Sequence, residues 1–284
     1  MTTILSIQSH VAYGYVGNSA AVFPLQRLGV EVWPVLTVNF SNHTGYGAWR
    51  GPLIGADQVS DVVTGIQERG FLRGVDGVLS GFQGSADMGQ VILDSVDMVR
   101  AENPSVIYCC DPVMGDVDTG FYCLPGIPEF MRDQVIPRAD VVTPNLFELE
   151  FLVGRTIRTM DDVMQAAQEL HARGPATVLV TSVRLPEAAN DSMRMVAVTS
   201  DGAWQVETPR IEGYFTGTGD ITSALFLAKM LGGQPIHQVL QETAAVVYSV
   251  LQTTADLGRS ELALVQAQDN IVAPCWSFEA IRIG

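Results

Sequence analysis

Four residues, Gly217-Thr218-Gly219-Asp220, run directly into the apolar, helix-forming stretch Ile221 to Met230. Two glycines permit a tight turn and let backbone N–H groups come close to a ligand. Asp220 can cap the helix that follows, whose positive dipole end faces the same point. Together these features make an anion pocket with a carboxylate at its lip. Phosphoryl transfer needs both parts, amides to steady the moving group and a base for the attacking hydroxyl. A glycine turn with an Asp cap would also serve structure alone, so other stretches must decide.

Two of them carry hard oxygens. Asp111-Pro112-Val113-Met114-Gly115-Asp116 places a carboxylate directly after an apolar run. Asp and Pro are turn formers, and a carboxylate there is equally a ligand for Mg²⁺, for its waters or for a monovalent cation such as K⁺. In Thr143-Pro144-Asn145-Leu146-Phe147-Glu148, Asn145 and Glu148 stand three apart at the start of a helix. That spacing is a capping arrangement, or an oxygen pair for hydrated Mg²⁺.

Ser9-His10-Val11 with Gly14 and Gly17 follows the first apolar run. No GxGxxG occurs there, which argues against a dinucleotide fold and a nicotinamide oxidoreductase. Ser9 and His10 read instead as substrate contacts. His43, in Asn39 to Gly47, can donate to or exchange protons with a ring substituent. Cys123 offers a thiol to an aldehyde, or simply packs.

The elements that must position these groups alternate. Strands are expected near Thr3–Gln8, Glu31–Val38, Gly77–Ser80, Val106–Cys110, Asp140–Thr143 and Thr177–Thr181, with helices between them, one from Ile127 to Val135, and a loop over residues 112–125. The pattern predicts an α/β fold, a three-layer α/β/α sandwich around a mostly parallel sheet. Met193–Thr199 and Ala203–Glu207 flank Ser200-Asp201-Gly202, so an antiparallel hairpin should close one edge. After Asp220 the chain reads as helical nearly to its end. No linker, repeat or low-complexity segment interrupts residues 1–284, so one domain is expected. In such sheets ligands bind beyond the carboxyl ends of the strands, where the polar stretches above fall.

Composition narrows the classes. Hydrophobic residues are 47% and charged ones 17%, enough for a large core. A net charge of −15 without a basic cluster argues against a nucleic-acid groove. The four cysteines lack metal or disulfide spacing, and the N-terminal apolar run is too short for a signal or a membrane span. A soluble, cytoplasmic protein is expected.

The glycine–Asp turn, the Asn145/Glu148 pair and the Asp111-Pro112-Val113 turn resemble the ribokinase superfamily. Gln8-Ser9-His10-Val11 through Gly14-Tyr15-Val16-Gly17-Asn18, with Phe40-Ser41-Asn42-His43-Thr44, is similar to the pyridoxal kinases, nearest to the bacterial second type. The resemblance spans almost the whole chain. It implies a ribokinase-like fold, ATP and pyridoxal as substrates, Mg²⁺, and a homodimer. It implies Asp220 as base, with the amides of Gly217, Thr218, Gly219 and Asp220 as anion hole. Asp111 and Glu148, with Asn145, would hold the metal. Ser9, His43, Thr44, Gly45 and Phe82 would contact the vitamin. Val142, Thr143 and Thr181 would line the nucleotide side. Some relatives carry Lys where this chain has Thr181, and the stretch from Pro209 to Gly217 is shorter here. Hydroxymethylpyrimidine is the alternative acceptor, and a slow-turnover pyridoxal reservoir is the alternative role.

Overall fold

The computed structural model describes residues 1–185 and 191–284. The first strand, β1 (Thr3–Val11), leads through a glycine loop into helix α1 (Asn18–Arg27). Then follow β2 (Glu31–Phe40), α2 (Ala56–Glu68), β3 (Gly77–Ser80), α3 (Ala86–Glu102) and β4 (Ile107–Cys110). A small hairpin, β5 (Gly115–Asp116) and β6 (Gly120–Phe121), precedes α4 (Ile127–Phe130), β7 (Val141–Val142), α5 (Leu146–Val153) and α6 (Met160–His171). The rest comprises β8 (Thr177–Val183), β9 (Ser192–Thr199), β10 (Gly202–Pro209), α7 (Thr218–Leu231), α8 (Ile236–Asp256), α9 (Gln268–Val272) and β11 (Ala280–Arg282).

Among the described residues, one sheet of nine strands runs in the order β11-β10-β9-β8-β7-β4-β3-β1-β2. From β2 to β8 all neighbours are parallel, and β9, β10 and β11 pair antiparallel. The inner strands β1, β3, β4 and β7 are buried along nearly their whole length and mostly apolar, because both faces are covered, as parallel sheets require. Alternate residues part to opposite layers. Leu5, Ile7, Val78, Cys110 and Val142 join the core under α2, α3, α5 and α6. Ile4, Leu79, Cys109 and Val141 join the core under α1, α7 and α8.

The expected architecture, with its antiparallel edge, is the one observed. Three expectations are corrected. The chain after Asp220 is not helical to the end, since α8 stops at Asp256 and the chain returns as β11 on the sheet edge. The helix expected from Ile127 to Val135 is α-helical only to Phe130, then widens into a π turn over Met131–Val135. The loop expected over residues 112–125 holds the β5–β6 hairpin. Phe121, on its second strand, packs edge-on against Phe147 and Phe151 of α5. Among the described residues, no helix is long and apolar enough to cross a membrane.

Candidate active site

A cavity of about 610 Å³ opens at the carboxyl ends of the parallel strands, where an open α/β sheet binds its ligands. Ser9 and Val11 reach it from β1, Phe40 from β2, Phe82 from the loop after β3, and Asp111 from the loop after β4. Thr143, Asn145 and Glu148 enter after β7, Thr181 from β8, and Gly217 to Asp220 from the start of α7. His43, Thr44 and Gly45 complete the wall on the β2 side. Of the site residues expected from sequence, three lie outside the lining, and Val142 is the first of them. It is fully buried on the α2/α3 side of the sheet, because strand alternation turns it inward and gives the cavity to Thr143. His10 is also absent from the lining. It points toward α1, where Nδ1 lies 3.0 Å from Ser19 Oγ. Cys123 packs half-buried on the core and does not line the cavity.

The glycine turn is built differently from the expectation. Gly217, at φ +81°, is itself the residue before the helix, so Asp220 sits inside the first turn and is not the cap. Helix geometry leaves the amides of Thr218, Gly219 and Asp220 without intrahelical acceptors, facing an anion site. Burial raises the Asp220 carboxyl to about 6, against the pull of the Gly17 and Asp220 backbone N–H groups. A carboxylate poised there is ionised at neutral pH and basic enough to take a proton.

Asp111 and Glu148 are nearly inaccessible. Burial raises both, and Glu148 and Asp220 push Asp111 further; Glu148 reaches about 8. Glu148 accepts Met114 N–H at Oε1 and Asn145 N–H at Oε2, each at 2.9 Å. Asn145 Oδ1 accepts Glu148 N–H at 2.9 Å, and its Nδ2 donates to the Gly115 carbonyl at 2.8 Å. Asn145 and Glu148 therefore form a reciprocal capping box. Both ends of the Asn145 amide are engaged, so it orients Glu148 and holds the β5 strand. Asn145→Ala should cost about 1 kcal/mol of stability, read as a lower midpoint in a thermal melt, because it breaks the cap and frees the β5 edge.

Among the described residues no three His, Cys, Asp or Glu side chains form a dedicated metal cage. The carboxylates of Asp111 and Glu148 and the buried, unpartnered Thr143 Oγ1 supply hard oxygens on one wall. That set fits a cation that keeps most of its waters and is shared with phosphates.

Several lining residues had no sequence signal. Val117 to Thr119 and Tyr122 come from the hairpin, Met193 and Met195 from the antiparallel edge, and Ala244, Val247 and Tyr248 from α8. Helix packing brings the last three to the cavity, and no local pattern marks them. Ser182 and Arg184 follow Thr181 at a bulge in β8, with Ser182 at φ +53°. Only the polarity of that strand end marked them.

A parallel sheet whose carboxyl edge carries an amide-lined turn, a poised carboxylate and hard-oxygen groups has the parts that a small-molecule phosphotransferase needs. The phosphomethylpyrimidine kinase family profile matches residues 73–264. A pyridoxal kinase PdxY of Rubrobacter xylanophilus is 53% identical over 99% of this chain and 97% of its own length. The PdxY of Leifsonia xyli is 51% identical over 99% of both chains. Pyridoxal kinase of Leishmania donovani, solved with ADP and pyridoxine, superposes with a TM-score of 0.93 at 28% identity over 99% of each chain. The chain belongs to the pyridoxal kinase family, within the ribokinase-like superfamily.

Proposed function

We infer that this protein is an ATP-dependent pyridoxal kinase that transfers the γ-phosphoryl group to the 5′-hydroxyl of pyridoxal and related vitamers. The observation that carries the reading is end-to-end similarity to pyridoxal kinases. The family profile bears a pyrimidine kinase's name, so the full-length relatives favour the pyridine ring.

In this reading His43, Thr44, Gly45, Ser9 and Phe82 hold the vitamin with its hydroxymethyl group toward Asp220. Thr143, Thr181 and Asp111 face the nucleotide. Asp220 takes the hydroxyl proton as the oxygen attacks the γ-phosphorus; the bond to the bridging oxygen breaks and ADP leaves. The amides at the start of α7, those of Thr218, Gly219 and Asp220, hold the charge on the equatorial oxygens. Mg²⁺, with K⁺ as a possible second ion, would be held by Asp111 and Glu148 and would neutralise phosphate charge. The sheet that runs from Thr3 to Arg282 supports reading the whole chain as one kinase domain. Four free cysteines accord with a cytoplasmic setting, and the exposed Tyr13, Trp49 and Leu53 with a homodimer.

A coupled ADP-release assay with Mg-ATP tests this on pyridoxal, pyridoxamine, pyridoxine and hydroxymethylpyrimidine in parallel. Release is expected with the pyridoxal group and is expected to collapse on chelation by EDTA. Activity on the pyrimidine alone would reassign the acceptor, and tight pyridoxal binding without ADP would point to a reservoir.

A further inference from the structure

Glu261 belongs to no part of the reaction described above, yet three loops of the site meet on it. It lies 9% exposed in the segment between α8 and α9. One oxygen, Oε2, accepts the Tyr15 backbone N–H at 2.9 Å and the Thr216 hydroxyl at 3.0 Å. The other, Oε1, accepts the Tyr46 hydroxyl at 2.8 Å. All three donors are neutral. A buried carboxylate held only by neutral donors carries a desolvation cost that a neutral side chain would avoid.

Each donor leads to the site. Tyr46 ends the short turn that presents the vitamin-side residues: its N–H bonds to the His43 carbonyl at 3.2 Å, and Gly47 N–H bonds to the Thr44 carbonyl at 3.0 Å. Fixing Tyr46 therefore fixes His43, Thr44 and Gly45. Thr216 immediately precedes the anion turn. Tyr15 belongs to the glycine loop after β1, and its carbonyl packs so closely on Gly217 that a Cβ there would collide with it. Gly14, at φ +89°, leaves space that any side chain would take from the Glu261 carboxylate.

We propose that Glu261 is a positioning residue, a carboxylate latch that sets the vitamin-side loop against the anion turn. It fixes the distance between the acceptor hydroxyl and the phosphate it attacks. The kinetic part of this proposal rests on the pyridoxal kinase reading; the latch itself does not.

Tyr46→Phe and Glu261→Gln test it, with hydrogen exchange and steady-state kinetics on the full-length protein. Tyr46→Phe removes one donor from a half-exposed ring and leaves the core untouched. It should speed amide exchange in residues 41–50 several-fold without changing residues 213–218. Its KM for pyridoxal should rise about 5-fold, from loss of a hydrogen bond to a charged group, with KM for ATP unchanged. Glu261→Gln should speed exchange in both segments and lower kcat about 10-fold as well, since three charge-assisted bonds weaken together. The double variant should be no worse than Glu261→Gln alone, because the two residues act through one contact. Unchanged exchange over residues 41–50 in both variants would overturn the latch. Equal losses toward both substrates, tracking a lower melting temperature, would reduce Glu261 to a fold-stabilising role and also overturn it. A wild-type protein inactive on every vitamer would remove the functional reading, while the exchange data would still decide the latch.

Discussion

Asp220→Asn is expected to lower kcat by about 10²–10⁴-fold while leaving pyridoxal affinity nearly unchanged. The amide is isosteric, so the turn and the amides of residues 217–219 keep their places, and only the proton acceptor is lost. Two pH signatures accompany that loss. On the proposed reading Asp220 acts as base and must be ionised, and its carboxyl is raised to about 6 by burial; kcat/KM should therefore fall as pH drops below about 6. The residual activity of Asp220→Asn should lack that limb. Stability moves the other way. A carboxyl whose folded pKa is raised binds its proton more tightly in the folded state. Its ionisation therefore weakens the fold progressively as pH rises from the unfolded value of 3.8 to about 6. The variant escapes that cost, which is at most roughly 3 kcal/mol. Its melting temperature should exceed the wild type at pH 7 and match it near pH 3.5. Wild-type turnover in Asp220→Asn would remove the base assignment. A stability gain equal at both pH values would remove the electrostatic account of its cost.

What could be seen in the sequence was whatever lies at the end of an apolar strand. Asp111, Thr143, Asn145, Glu148 and Thr181 each follow or end such a run, and all line the cavity. The rule fails by one residue at Val142, because a strand with period 2 turns that side chain into the opposite layer. His10 fails for the same reason, since β1 continues to Val11 and its alternate residues face opposite ways. Glycine-rich turns gave the place of the anion site but misjudged its cap. A left-handed glycine starts the helix at Thr218, and Asp220 is freed from capping. Contacts that depend on docking distant elements left no local trace. Ala244 and Val247 reach the cavity from the middle of α8, and Glu261 meets Tyr15 from 246 residues away. The edge strand Ala280–Arg282 has only three residues, too short to show alternation.

The two glycines of the anion turn should respond very differently to a single added methyl group. Gly217 sits at φ +81° and ψ 3°, a left-handed conformation that costs an alanine about 1 kcal/mol. The added carbon would also collide with the Tyr15 carbonyl, which is backbone and cannot swing aside. Either the turn or the loop after β1 must then shift, and the amides of Thr218 and Gly219 lose their aim at the phosphate. Preorganised donors of this kind are worth about 10²–10³-fold in rate, so Gly217→Ala should lose kcat on that scale and weaken ATP binding too. Gly219 has no such constraint. It lies inside α7, and a Cβ there would meet only Asp111 Oδ2, at an ordinary 3.6 Å. Its N–H is untouched by the substitution, so Gly219→Ala should cost less than about 10-fold. The measurement is kcat for the two variants side by side, with melting temperatures to show that both are folded. Equal losses would mean that space around the phosphate, and not the left-handed turn at Gly217, sets the rate. A near-wild-type Gly217→Ala would mean that the amides of this turn do not carry the charge of the transferred group.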